Sequence, residues 1–379
     1  LAPIKKHDTV KVFSDMEGTM ERACRTRIKG RGAVQNPAGR FEKVESIPVD
    51  DGWATCEEPE PRLDTVVRPE KTCRIISTND SPDIPFGRSV NPYKGCEHGC
   101  VYCFARPSHS YLGLSPGLDF ETQIFSKPDA ARLLREAFEH SSYVPEVIAL
   151  GANTDPYQPA ERKLWLTRDL LEVFLEYRHP VSIITKSTTI LRDADLLEAL
   201  AKQRLVHVYL SVTTLDAELA RRMEPRASSP KGRLRALSVL SSAGVSTGVL
   251  TSPMIPGLND WEMERILEAC AEVGTKDAGY IMLRLPYELK GLFESWLNAN
   301  YPERAQKVLN AIRSVRGGAM NNSEYGTRML GVGPYAELLK KRFEAACRRF
   351  GLNQTRRVLR TDLFERPEKP GDQMSLFAG

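Results

Sequence analysis

Three cysteines, Cys96, Cys100 and Cys103, fall within eight residues of the run NPYKGCEHGCVYCFARPSH, spaced Cys-x3-Cys-x2-Cys. Three thiolates on one short loop wrap a compact metal centre without long-range folding, and such soft ligands suit zinc and iron, Fe–S clusters in particular. Gly95 and Gly99 let this backbone turn tightly and leave N–H groups free to face sulfur. A structural zinc takes four ligands, commonly from two separate Cys-x2-Cys pairs. The sequence has no second pair, and His98 or His109 would have to complete the set. An electron-transfer ferredoxin cluster also uses four cysteines. Three cysteines with no fourth nearby leave one iron open, which is a catalytic arrangement. The other five thiols, Cys24, Cys56, Cys73, Cys270 and Cys347, are scattered. They are expected to be small buried hydrophobes rather than a disulfide framework.

The elements that must position this loop follow from hydrophobic periodicity. Strands are predicted at 146–151, 181–186, 205–213, 245–252 and 279–285, with a first one just before the cysteines at 87–91. Helices are predicted between them. Leu164, Leu171, Phe174 and Leu175 share a face over 161–177. Leu196, Leu197 and Leu200 do so over 193–202, and Asn259-Asp260 starts a helix over 260–273. Strand–helix alternation at this spacing gives βαβ units and a parallel sheet. Six units over 86–315 suit an α/β partial (β/α)6 TIM-type barrel better than a closed eight-fold one. Residues 1–85 read as a partly ordered N-terminal extension, with five basic residues against one acid at 21–31. Residues 316–363 read as a C-terminal helical segment, helical over 320–363. Its basic face carries Lys340, Lys341, Arg342, Arg348, Arg349, Arg356, Arg357 and Arg360 against Glu344. Residues 364–379 read as a flexible tail.

Cys96, Cys100 and Cys103, with Tyr102 before the last, resemble the signature of the radical S-adenosylmethionine (radical SAM) superfamily over 86–315. The resemblance implies a [4Fe-4S] cluster on the three cysteines, with S-adenosylmethionine chelating the open iron. It implies cleavage of the cofactor to a 5′-deoxyadenosyl radical after reduction by a donor such as flavodoxin or ferredoxin. It also assigns candidate cofactor contacts at the strand ends. Asn153, Thr154 and Asp155 match the loop that receives the methionyl amino group. Lys186 and Ser187 match carboxylate contacts, and Ser211 and Thr213 ribose contacts. Ile255, in the Pro-Gly-Leu-Asn-Asp turn region, would lie near adenine. Arg284, ending the sixth strand, and the Glu224-Pro-Arg226 run would face the mouth. Tyr102 is the candidate radical or stacking residue.

The same run, with TDPYQPAE and ITKS, resembles a spore photoproduct lyase-like subgroup, which implies lyase-type DNA repair and a DNA or nucleotide substrate. Two positions depart from that subgroup: Leu150, Gly151 and Ala152 offer no thiol before Asn153, and Phe104 stands where a tyrosine follows the last cysteine. A lesion or nucleotide other than the thymine spore lesion is therefore expected. Residues 373–377 resemble the Gln-x-x-Leu-Phe peptide that docks on the DNA sliding clamp, with Gln373, Leu376 and Phe377 as anchors. The span 340–360, with Phe343 and Phe350 interleaved among its basic residues, suits phosphates. The net charge of +4 over 379 residues permits a nucleic-acid partner without requiring one. No apolar run spans a membrane and LAPIKKHDTV lacks a secretory segment, so a cytoplasmic location is expected. A second reading keeps the chemistry on RNA, a protein side chain or a small metabolite. A third is a clamp-associated Fe–S binding protein without radical chemistry.

Overall fold

The computed structural model describes residues 28–42, 63–355 and 357–368. Its ten strands are β1 (Val66–Pro69), β2 (Ile76–Thr78), β3 (Arg88–Val90), β4 (Tyr93–Lys94), β5 (Gln123–Ser126), β6 (Ile148–Leu150), β7 (Val181–Thr185), β8 (Val206–Ser211), β9 (Ser246–Met254) and β10 (Asp277–Met282). Runs such as VSIIT and VHVYLS are β-branched and apolar on both faces, as strands covered on two sides require. Six of the strands pair in parallel in the order β3-β6-β7-β8-β9-β10, each beside its neighbour in the chain. These are the six expected strands in the expected order, an α/β sheet of the partial-barrel type. Helices fill the crossovers, and Leu170, Phe174, Leu197, Leu237 and Ile266 pack fully buried behind the sheet.

The ends of the barrel hold what periodicity did not show. β2 adds antiparallel to β3, so the sheet starts ahead of residue 86. A second sheet, β1-β5-β4, lies beside the cysteine loop. The helix expected over 161–177 is broken: Glu161–Leu164 and Leu166–Glu176 meet at Trp165, whose φ is 58°. That break turns Leu164 outward.

The expectation of helix throughout 320–363 is corrected. Only Pro334–Arg349 is helical there, because five residues between 317 and 333, all glycine, take left-handed φ and end the preceding helix. Its basic face is also less free than the sequence suggests, since Arg342 clasps Glu264 with two bonds of 2.7 Å. No helix is long and apolar enough to cross a membrane among the described residues. Residues 21–27, Arg356, Cys24, Cys56 and the peptide at 373–377 lie outside the described residues.

Candidate active site

The cysteine loop sits at the C-terminal mouth of the parallel strands, where sites in this architecture belong. Cys96 and Cys100 are buried and Cys103 is partly so. The loop is held by backbone bonds: Cys96 N–H donates to the Phe120 carbonyl (2.9 Å) and Val101 N–H to that of Met223 (3.0 Å). Gly95 and Gly99 have φ of 76° and 66°. A Cβ on Gly95 would stand 3.0 Å from the Phe120 carbonyl oxygen, so both conformation and space demand glycine there.

Below the loop lies a buried ion pair. Arg106 donates from Nε to the Cys100 carbonyl (2.8 Å) and from a terminal nitrogen to Glu121 (2.5 Å), with both side chains fully buried. Glu121 also accepts the N–H groups of Gly32 (2.9 Å) and Ala33 (2.8 Å). The N-terminal extension thus docks through its backbone N–H groups on the Glu121 carboxylate, with Gly32 close against the loop backbone. A Cβ on Gly32 would fall 1.7 Å from the Gly99 carbonyl oxygen.

A second buried network joins the loop to β8. Tyr102 donates its hydroxyl to Glu224, which also accepts from Thr213 (2.9 Å) and pairs with Arg233. Arg233 reaches on to the Ser211 carbonyl (2.9 Å) and that of Ser228 (2.8 Å). Burial works to raise the Glu224 pKa, but Arg233 and Lys186 outweigh it and hold the carboxyl below its ordinary value. Burial and the charges of Cys100 and Glu224 push the Tyr102 phenol well up, so it stays protonated. Ile255 belongs to the same apolar cluster as Cys100, Val101 and Tyr102. Asn259 crosslinks the turn beside it, donating to the Thr213 carbonyl (2.7 Å) and accepting from Ile255 N–H (2.7 Å).

The residues expected to hold the cofactor divide into two groups. Asp155 is already saturated: it accepts from Thr185 (2.7 Å), from Lys186 N–H (2.7 Å), from Tyr157 N–H (2.9 Å) and from His98 (3.2 Å). Thr154 gives its hydroxyl to the Tyr93 carbonyl (2.8 Å). Ser187 caps the turn after β7 by accepting Thr189 N–H (3.2 Å). These three fasten loops to one another. Asn153 is exposed, with its backbone held by Asn91 (2.9 Å). Lys186 is half-buried, with Nζ 5.9 Å from the centre of the Tyr102 ring, and no carboxylate among the described residues pairs with it. Burial works against its charge, but Cys100 and Glu224 keep its pKa raised. Arg284 likewise has no acidic partner at bonding distance; it lies 5.8 Å from the centre of the Phe104 ring. Arg106, Glu121 and Arg233 were not visible as site residues in the sequence.

The burial of Asp155 works to raise its pKa, yet His98, Lys186 N–H and Thr185 bring it to about 2. A carboxyl depressed on folding contributes stability that is full above its unfolded pKa and lost as pH falls through the folded one. Asp155→Asn is therefore expected to lower stability by about 2 kcal/mol at pH 7. The difference from wild type should vanish as the pH approaches 2, from near 4, in urea melts. A constant difference across that window would show that Asp155 acts by packing alone.

The loop fits a multi-iron cluster. Burial pushes the Cys100 thiol up to about 12 and the Cys96 thiol well above its usual value, so a metal must displace their protons. Among the described residues no three His, Cys, Asp or Glu side chains converge as a single ion would need. A cluster in which each cysteine takes a different iron does not need that convergence. His98 and His109 are both engaged elsewhere, the latter with the Gln123 carbonyl at 3.0 Å.

An open parallel barrel carrying three loop thiols at its mouth defines a class of cofactor-dependent radical enzymes. The chain belongs to the radical SAM superfamily, whose family model matches residues 90–270. An uncharacterized protein of Mycobacterium tuberculosis is 34% identical over 282 residues, spanning 71% of this chain and 83% of its own. One from Methanocaldococcus jannaschii is 27% identical over 221 residues, 58% of this chain and 79% of its own. Among solved structures, a spore photoproduct lyase complexed with dinucleoside spore photoproduct superposes with a TM-score of 0.55. It is 17% identical, covering 76% of this chain and 80% of that one. This likeness shows a common fold.

Proposed function

We propose that this protein is a radical SAM enzyme that holds a [4Fe-4S] cluster on Cys96, Cys100 and Cys103 and acts on nucleic acid. When bound, the cluster supplies the electron that cleaves S-adenosylmethionine, and the protein supplies position and exclusion of water. The observation that carries the reading is Lys186: a cation with no carboxylate at bonding distance among the described residues, at the end of β7, facing the tyrosine between two cluster cysteines. Its ammonium suits the carboxylate of the methionyl moiety. Glu224 holds the Tyr102 ring in place beneath it. Ser211 and Thr213, at the end of β8, stand on the same network, with Ile255 beside them.

The nucleic-acid part rests on the fold shared with the spore lyase and on the cationic Arg284 at the mouth. The reaction differs from the hydrogen relay of that subgroup. Position 151 cannot carry a cysteine, because a Cβ there would lie 2.6 Å from the Ile184 carbonyl oxygen. Phe104 has no phenolic hydrogen. Among the described residues the remaining thiols lie elsewhere, Cys73 exposed and Cys270 and Cys347 in the main barrel core. The sliding clamp, flavodoxin or ferredoxin as donor, and a cytoplasmic location are further parts of the proposal.

The test is anaerobic reconstitution with iron and sulfide, dithionite and S-adenosylmethionine, with 5′-deoxyadenosine measured by mass spectrometry. Lys186→Met should raise the KM for the cofactor roughly 10- to 100-fold, since it removes a charged hydrogen bond. Iron content should stay at the wild-type value. An unchanged KM would remove Lys186 from the cofactor site, and failure of the iron-loaded wild type to release 5′-deoxyadenosine would overturn the radical chemistry.

A further inference from the structure

The seven aromatic rings counted as strongly exposed among the described residues are Phe41, Phe104, Tyr111, Trp165, Trp261, Tyr287 and Tyr325. Five of them, all but the two tryptophans, gather on segments around the cysteine loop. Arg40, in the N-terminal extension, lies 4.8 Å from the centre of Phe41, 5.1 Å from that of Tyr111 and 4.1 Å from that of Tyr287. Phe41 and Tyr111 also meet at 5.1 Å. A parallel arrangement pairs Arg284 with Phe104 at 5.8 Å, and Arg328 with Tyr325 at 4.5 Å.

The two groups share their supports. Phe104 and Tyr111 both lie on the segment that follows Cys103. Arg284 and Tyr287 both lie on the segment that follows β10. They are therefore neighbouring parts of one rim at the barrel mouth. The rim is costly to present: Tyr111 is 72% exposed and Tyr287 64% exposed. Tyr287 also has φ of 51°, a backbone state aromatic residues seldom adopt. Glu288 pairs with Arg40 at 3.1 Å and fixes the extension to the rim.

We propose that this aromatic–arginine rim is a binding track for single-stranded nucleic acid that leads to the site of Cys96, Cys100 and Cys103. Exposed rings stack on base faces, whereas a duplex keeps its base faces covered. Arg40 and Arg328, paired with Glu288 and Asp83, hold their rings in place, and Arg284, with no acidic partner at bonding distance among the described residues, is the guanidinium left to meet a phosphate. The track rests on the nucleic-acid reading above and narrows it to an unpaired strand. It also gives the N-terminal extension a role, because Arg40 and Phe41 come from it.

The test is fluorescence anisotropy of the iron-loaded full chain with a fluorescein-labelled oligonucleotide of about fifteen residues, as single-stranded DNA, as duplex and as single-stranded RNA. The single strand should bind more tightly than the duplex. Phe41→Ala with Tyr111→Ala should weaken that binding roughly 5- to 100-fold. Phe41→Tyr with Tyr111→Phe should retain it, as should Val239→Ala, an exposed side chain on the crossover helix Pro230–Ser242. Thermal midpoints and iron content near wild type would show that the alanine variants are folded. RNA bound as tightly as DNA, with the same loss in the variants, supports the track equally and shifts the substrate toward RNA. Equal binding of duplex and single strand, or alanine variants that bind like wild type, would overturn the track and leave the nucleic-acid reading standing. No binding of any oligonucleotide would overturn that reading itself.

Discussion

Cys100→Ala is expected to abolish iron–sulfur absorbance, the electron paramagnetic resonance signal of the reduced cluster and cofactor cleavage together. Cys100 is buried, and its carbonyl is fixed by Arg106 at 2.8 Å, so the loop cannot recruit a substitute. Losing one of three ligands leaves a second iron with nothing from the protein. The control is Cys270→Ala, a fully buried thiol in the main barrel core. It is expected to cost about 1 kcal/mol of stability and to keep the full iron content. Two variants with equal iron loss would mean that any buried thiol change unfolds the protein. Cleavage by a Cys100→Ala protein would remove this loop as the cluster site.

The second large effect is expected at Arg233→Met. The guanidinium is buried and shared among Glu224 and the carbonyl oxygens of Ser211 and Ser228. Its removal strands Glu224 beneath the cysteine loop, and an uncompensated buried charge costs about 3–5 kcal/mol. In a chain of this size that corresponds to a fall in Tm of about 4–6 °C. Two further measurements tie the loss to charge. Adding Glu224→Gln should recover part of the Tm, because the stranded charge is gone. The penalty should also shrink in acid, as Glu224 takes up a proton. A single variant that melts within a degree or two of wild type would mean that Tyr102 and Thr213 satisfy the carboxylate without the arginine.

The barrel was legible because its strands are β-branched runs broken by helix starts, and those signals are local. β1, β2, β4 and β5 were missed for the opposite reason. They are two to four residues long, and β1 is exposed at every position, so no alternation marks it. The gap ahead of the last helix is legible in its glycines: Gly317 and Gly318, then Gly326, Gly331 and Gly333, punctuate the stretch before Pro334. At the site, residue type points to loops at the strand ends but does not say what each side chain does. A threonine or aspartate at a strand end suits both a ligand and a fastener. Only the partners of Asp155, Thr154 and Ser187 show the second use. Lys186 and Arg284 look the same in sequence as any strand-end cation. They stand apart because, among the described residues, no carboxylate lies at bonding distance from either.

The docking of the N-terminal extension has a consequence in time. Ala33 waits for Glu121, 88 residues downstream, and Arg40 for Glu288, 248 residues downstream. At the usual ~5–20 residues per second of synthesis, the Arg40 contact cannot form until roughly 12–50 s after that residue is made. The cysteine loop itself is complete at residue 103, so for the later part of that interval it exists without the Arg40–Glu288 contact. The contact that fastens the extension to the rim is therefore among the last to form as the chain is made, after every strand of the barrel.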